Sequence, residues 1–85
     1  MLCESMPKIT WFENDNRYSE SDILFHYIMI PDVKNSIIEV KIWHGEYCYE
    51  KSLDSIVSER SFPLTTDGLR EAVEYLIAED RAFAQ

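Results

Sequence analysis

The clearest hydrophobic pattern lies near the C-terminal end, where Leu69, Ala72, Val73, Leu76 and Ile77 recur at i, i+3, i+4, i+7 and i+8. That spacing gathers all of them on one face of an α-helix and predicts a helix over about residues 66–82. Thr65 suits the N-cap, because Leu64 before it and Leu69 inside would form a hydrophobic staple, while Asp67 and Glu71 put negative charge near the helix's positive end. Thr66 is the competing cap.

Upstream, the period changes to two. Residues 37–43 (IIEVKIW) alternate, with Ile38, Val40 and Ile42 pointing one way and Glu39 and Lys41 the other. Residues 23–30 (ILFHYIMI) are apolar at both parities up to Pro31, which suits a central strand at least partly covered on each side. Residues 8–13 (KITWFE) read as a β-branched and aromatic strand closed by the turn formers Asn14, Asp15 and Asn16, and residues 18–22 (YSESD) read as a polar connector. After the turn signal His44, Gly45, Glu46, residues 47–53 (YCYEKSL) are expected to pair with 37–43 as a hairpin. A Gly45–Glu46 loop opposes Lys41 to Glu50 and Ile42 to Tyr49, whereas a His44–Gly45 loop would oppose Glu39 to Glu50 and is disfavoured by like charge. Residues 54–58 extend that strand or begin another, and 59–63 read as a connector.

The expected fold is therefore α+β: an antiparallel meander of about four strands with one C-terminal amphipathic helix packed on one face, in a single domain over residues 1–85. Residues 1–7 are expected to be flexible or folded over. Ile38, Val40 and Ile42, joined by Tyr47 and Tyr49, make the better core face. One helix covers only one side of a sheet, so the second face, with Glu39, Lys41, Trp43, Cys48 and Glu50, holds large apolar groups from one parity of residues 23–30. Such a patch implies a partner, unless residues 1–7 or 14–22 fold over it.

Composition narrows the partner. The chain has 85 residues, 46% of them hydrophobic, and its 16 acidic against 8 basic residues give a net charge of −8. The basic residues are scattered singly, which disfavours direct nucleic-acid binding, and the acids are spread evenly enough that solubility explains much of the charge. The longest apolar run falls far short of the ~20 residues of a membrane helix. A cytoplasmic protein without an export signal or membrane contact is expected, with Cys3 and Cys48 as reduced thiols.

Catalytic chemistry finds little support at this level. Two glycines, Gly45 and Gly68, cannot build a phosphate-cradling loop. His44 and Cys48 fall on opposite parities across the expected hairpin, which separates them as metal ligands or as a thiol–imidazole pair; Cys48 reads as a small buried hydrophobe. Helical acids such as Glu71 with Glu74 read as a solvated face. No cofactor, metal or catalytic residue is expected.

The expectation is instead a non-enzymatic module that binds another protein, basic in character, in the manner of an inhibitor, immunity protein or antitoxin that occludes its partner's surface. Trp43, Lys41, Glu39 and Glu50 on the sheet, with Glu71 and Glu74 on the helix, are the candidate contacts, and Trp43 is expected to act as a surface anchor whose removal spares the fold. A homodimer burying the open edge or second face, and an acidic nucleic-acid mimic blocking a basic protein, are the alternatives.

Overall fold

The computed structural model describes residues 3, 6–22, 24–45 and 56–84. In chain order they form α1 (Ile9–Glu13), β1 (Tyr18–Asp22), β2 (Phe25–Asp32), β3 (Ile37–His44), β4 (Ile56–Pro63) and α2 (Thr66–Ala84). The four strands make one antiparallel sheet in the order β1-β2-β3-β4, with α2 packed against it. The expected α+β meander with a C-terminal helix on one face is what the chain adopts.

Its strands are drawn partly from other segments than the pattern indicated. Residues 8–13, read as a strand, instead hold a short helix. Its apolar residues work at helical spacing: Ile9 and Phe12, three apart, turn inward, while Trp11 between them is 43% exposed. Asn14 closes the turn, donating from both its backbone N–H and its Nδ2 to the Thr10 carbonyl (3.2 and 2.8 Å), and Asp15 follows at φ 64°. Residues 18–22, read as a connector, are β1. A strand with β2 on one side only has no need of an apolar run on both faces, and polar residues on such an edge discourage stray pairing.

β2 continues through Pro31, which pairs with Ile38. Its pairing with β1 ends at Met29, so at Pro31 the strand has a neighbour on the β3 side alone and a missing N–H is tolerated. The turn to β3 is held by Asp32, whose Oδ1 accepts the Asn35 backbone N–H (3.2 Å) and whose Oδ2 accepts from Asn35 Nδ2 (2.8 Å). These hydrogen bonds stabilise the ionised carboxylate and lower its pKa.

β3 is flanked by β2 and β4, and its Lys41 faces Glu59 of β4. The expected hairpin of 37–43 with 47–53 does not form, because both sides of β3 are taken by β2 and β4 and Lys41 opposes Ile28 and Glu59 in place of Glu50; residues 47–53, Tyr47 and Tyr49 among them, lie outside the described residues. Residues 59–63, read as a connector, belong to β4.

Ile38, Val40 and Ile42 do form the core face. Cross-strand register places Val40 beside Met29 and Ile42 beside Tyr27, and Ile38 opposite Phe62. Phe25, Phe12 of α1 and Leu69, Ala72 and Leu76 of α2 complete the cluster. Both helices therefore cover the same side of the sheet.

The β4–α2 junction is tight. The Gly68 N–H donates to Thr65 Oγ1 (2.9 Å) and the Leu69 N–H to the Thr65 carbonyl (2.8 Å), so Thr65 is the cap. The Leu64 N–H donates to the Ser36 carbonyl (2.8 Å), joining this junction to the β2–β3 turn. A Cβ on Gly68 would stand 1.9 Å from the Pro63 carbonyl oxygen. Gly68→Ala is therefore expected to destabilise the protein by about 1–3 kcal/mol, although alanine is the better helix former by about 1 kcal/mol. Urea unfolding checks this; a variant more stable than the parent would show that the junction relaxes freely.

Candidate functional site

The sheet face turned away from the helices is organised in cross-strand rows. Ser21, His26 and Trp43 oppose one another across β1, β2 and β3; Ser19, Ile28, Lys41 and Glu59 form the next row; Ile30, Glu39 and Ser61 form the third. These rows follow from the register that sends the odd residues of β2 into the core and leaves His26, Ile28 and Ile30 outside.

In the first row Ser21 Oγ lies 2.5 Å from His26 Nδ1, and His26 Nε2 lies 2.5 Å from the Gly45 carbonyl oxygen. The imidazole stacks on the Trp43 indole, with ring centroids 5.4 Å apart and planes 16° from parallel. In the second row Ile28 is buried, while Lys41 and Glu59 give opposite charges directly across the strands.

Glu39 in the third row lines two open hollows. The larger, about 590 Å³, is bounded by Glu13 at the end of α1 and Asp15 just after it, by Ile30, Pro31 and Asp32 of β2, by Val33 and Lys34 of the turn, and by Glu39. It brings four carboxylates against a single ammonium, over an apolar floor whose Val33 is 43% exposed. The smaller, about 320 Å³, runs toward β4 past Lys41, Glu59, Arg60 and Ser61; the Arg60 guanidinium lies over Phe62 and Tyr75 on the helix side, which leaves Lys41 against Glu39 and Glu59.

A different polar cluster sits at the β1 edge of the core. Glu20 Oε1 accepts from the Tyr27 hydroxyl (2.6 Å) and from the Cys3 backbone N–H (2.9 Å), and the Cys3 thiol donates to Tyr27 Oη (3.8 Å). Burial, followed by the hydrogen bond to Glu20 and nearby negative charge, raises the Tyr27 pKa. Burial likewise raises that of Cys3, outweighing the opposing effect of its bond to Tyr27. A thiol held protonated is a poor nucleophile. Together with Met6, Cys3 packs against the core cluster, so these two residues of the 1–7 segment lie on the helix side of the sheet.

The candidate contacts are thus divided. Glu39 and Lys41 stand half-buried on the second face, whereas Glu71 and Glu74 are exposed on α2, across the sheet from them; Glu50 lies outside the described residues. Trp43 is 3% exposed, packed rather than presented. The pattern hides Ser21 because residues 18–22 read as a connector, and hides Glu13 and Asp15 because the one reads as the end of a strand and the other as a turn former. The usable signal was the sequence separation of Ser21 and His26 across a short turn.

Among the described residues no group of three or more His, Cys, Asp and Glu is placed to hold a metal ion, and no helix is long and apolar enough to cross a membrane. No protein-family model, curated protein or solved structure matches this chain.

Two outcomes follow from this geometry. Because Trp43 is buried, Trp43→Ala is expected to cost about 3–5 kcal/mol in urea unfolding, and a loss below about 1 kcal/mol would return Trp43 to the surface role. The raised Cys3 and Tyr27 values mean that the folded chain keeps protons the unfolded chain releases above the ordinary thiol and phenol values of 9.0 and 10.0. Their contribution to stability is therefore full below pH 9.0 and declines as pH rises beyond it. Unfolding free energy should fall above that pH, and less steeply in a Cys3→Ser, Tyr27→Phe double variant; equal slopes would remove these groups as the cause.

Proposed function

We propose that this protein is a non-catalytic binding module that occludes the surface of another protein, and that the larger hollow beside Glu39 takes up a basic segment of that partner carrying an apolar side chain. The observation that carries this reading is the composition of the hollow: four carboxylates, one lysine and an open apolar floor formed by Ile30, Pro31 and Val33. A lysine or arginine entering it meets net negative charge, and an adjoining apolar group removes Val33 from water. The hydrogen bonds from Asn35 favour the ionised form of Asp32 and lower its pKa below the usual carboxylate value. A role of the inhibitor, immunity or antitoxin kind needs no more than such occlusion.

The alternative of a homodimer formed by pairing two β4 edges meets an obstacle. Residue parity on a continuous sheet requires opposed residues from the two copies to share a face, so the central registers put Glu59 against Glu59 or Arg60 against Arg60. Mixed pairing with a foreign strand carries no such penalty.

The reading is tested with tagged protein and the Glu39→Lys variant, using capture from the native host at low and high salt. Glu39→Lys is expected to keep its melting temperature and to lose at least about tenfold in retention of a basic partner, whose capture by the parent also weakens with salt. Glu71→Lys with Glu74→Lys, on the opposite side of the sheet, is expected to retain that partner. Equal retention by Glu39→Lys and the parent protein sinks the proposal.

A further inference from the structure

The row Ser21, His26, Trp43 has a chemistry that binding through the Glu39 hollow does not use. A carbonyl oxygen can only accept a hydrogen bond, so the 2.5 Å contact between His26 Nε2 and the Gly45 carbonyl assigns the ring proton to Nε2. In the neutral ring the Nδ1 lone pair is then free to accept, and Ser21 Oγ stands 2.5 Å from it as the donor. A hydroxyl, a base within hydrogen-bond reach and a third group orienting that base are the components of an activated nucleophile.

The base is also held still. Trp43 stacks on one face of the imidazole and is itself buried. The Gly45 N–H donates to the Leu24 carbonyl at 3.0 Å, joining the segment that supplies the orienting carbonyl to the start of β2. Ser21, by contrast, is exposed on an edge strand, where a small reagent can approach.

We infer that Ser21 is a nucleophile activated by His26, able to accept an acyl group from an activated ester. Oγ attacks the ester carbonyl carbon while its proton passes to Nδ1. The bond from that carbon to the leaving alcohol then breaks, and the alcohol departs with the proton from Nδ1. The products are a Ser21 ester, the free alcohol and a neutral His26, so the reaction is stoichiometric acylation at one residue.

Ser19 provides an internal comparison. It lies on the same strand and the same face, is likewise exposed, and faces Ile28 instead of a base. The experiment treats the full chain with p-nitrophenyl acetate near neutral pH and follows acetylation by intact mass and peptide mapping. General-base assistance typically contributes ~10²–10⁴-fold, so Ser21 is expected to acetylate at least about tenfold faster than Ser19. Ser21→Ala abolishes that modification, and His26→Gln slows it by at least about tenfold with circular dichroism unchanged. Acetylation of Ser21 at the rate of Ser19 overturns the inference and leaves the Ser21–His26 contact as a cross-strand hydrogen bond alone. So does a folded His26→Gln protein that acetylates as fast as the parent. Should His26→Gln fail to fold, the Ser21 to Ser19 ratio in the unaltered chain still decides the matter.

Discussion

Packing of two helices against the same side of one sheet sets every other feature of this protein. Phe25, Tyr27 and Met29 on β2 and Ile38, Val40 and Ile42 on β3 lie on one side, and Phe12, Leu69, Ala72 and Leu76 close over them. Side chains alternate along a strand, so a slip of one residue in the β2–β3 pairing would move an entire apolar set to the other face. The register is therefore held by burial, and it also determines which residues are left on the side away from the helices.

Polar groups at the margins reinforce that register. Glu20 gathers the Tyr27 hydroxyl and the Cys3 N–H at the β1 edge, giving a buried phenol an acceptor it would otherwise lack. At the opposite edge Arg60 lies over the Phe62 and Tyr75 rings, 5.3 and 5.5 Å from their centroids, covering aromatic surface while its charge stays in water. The backbone bond from Leu64 to Ser36 ties the entry to α2 to the β2–β3 turn, so the helix and the central strands are positioned together.

The second face inherits a gradient from this arrangement. Near Gly45 its residues are locked by stacking and hydrogen bonds around His26. Toward the β2–β3 turn it opens into hollows lined by carboxylates, with Glu39 between them. The proposed proton acceptor lies at the rigid end, and the proposed site for a basic segment at the open acidic end. The same strands carry both ends, since alternate residues of β2 and β3 build the core.

The α2 helix, its Thr65 cap and the apolar stripe of β3 were legible because each is a local periodicity that survives without knowledge of neighbours. Residues 8–13 and 18–22 were not. Whether ITWFE coils or extends depends on a core into which Ile9 and Phe12 can turn together, and whether YSESD pairs depends on the exposed edge of β2 beside it. For the candidate site, Glu39 and Lys41 could be placed on the face opposite Ile38, Val40 and Ile42 from alternation alone. Burial of Trp43, the approach of Ser21 to His26 and the joining of Glu13 and Asp15 with Glu39 in one hollow required the strand register. Local periodicity was enough for the fold class, the long helix and the parity of β3; the parity of β2 and the remaining partners came with the packed sheet, because cross-strand neighbours are brought together by burial that no short stretch of chain encodes.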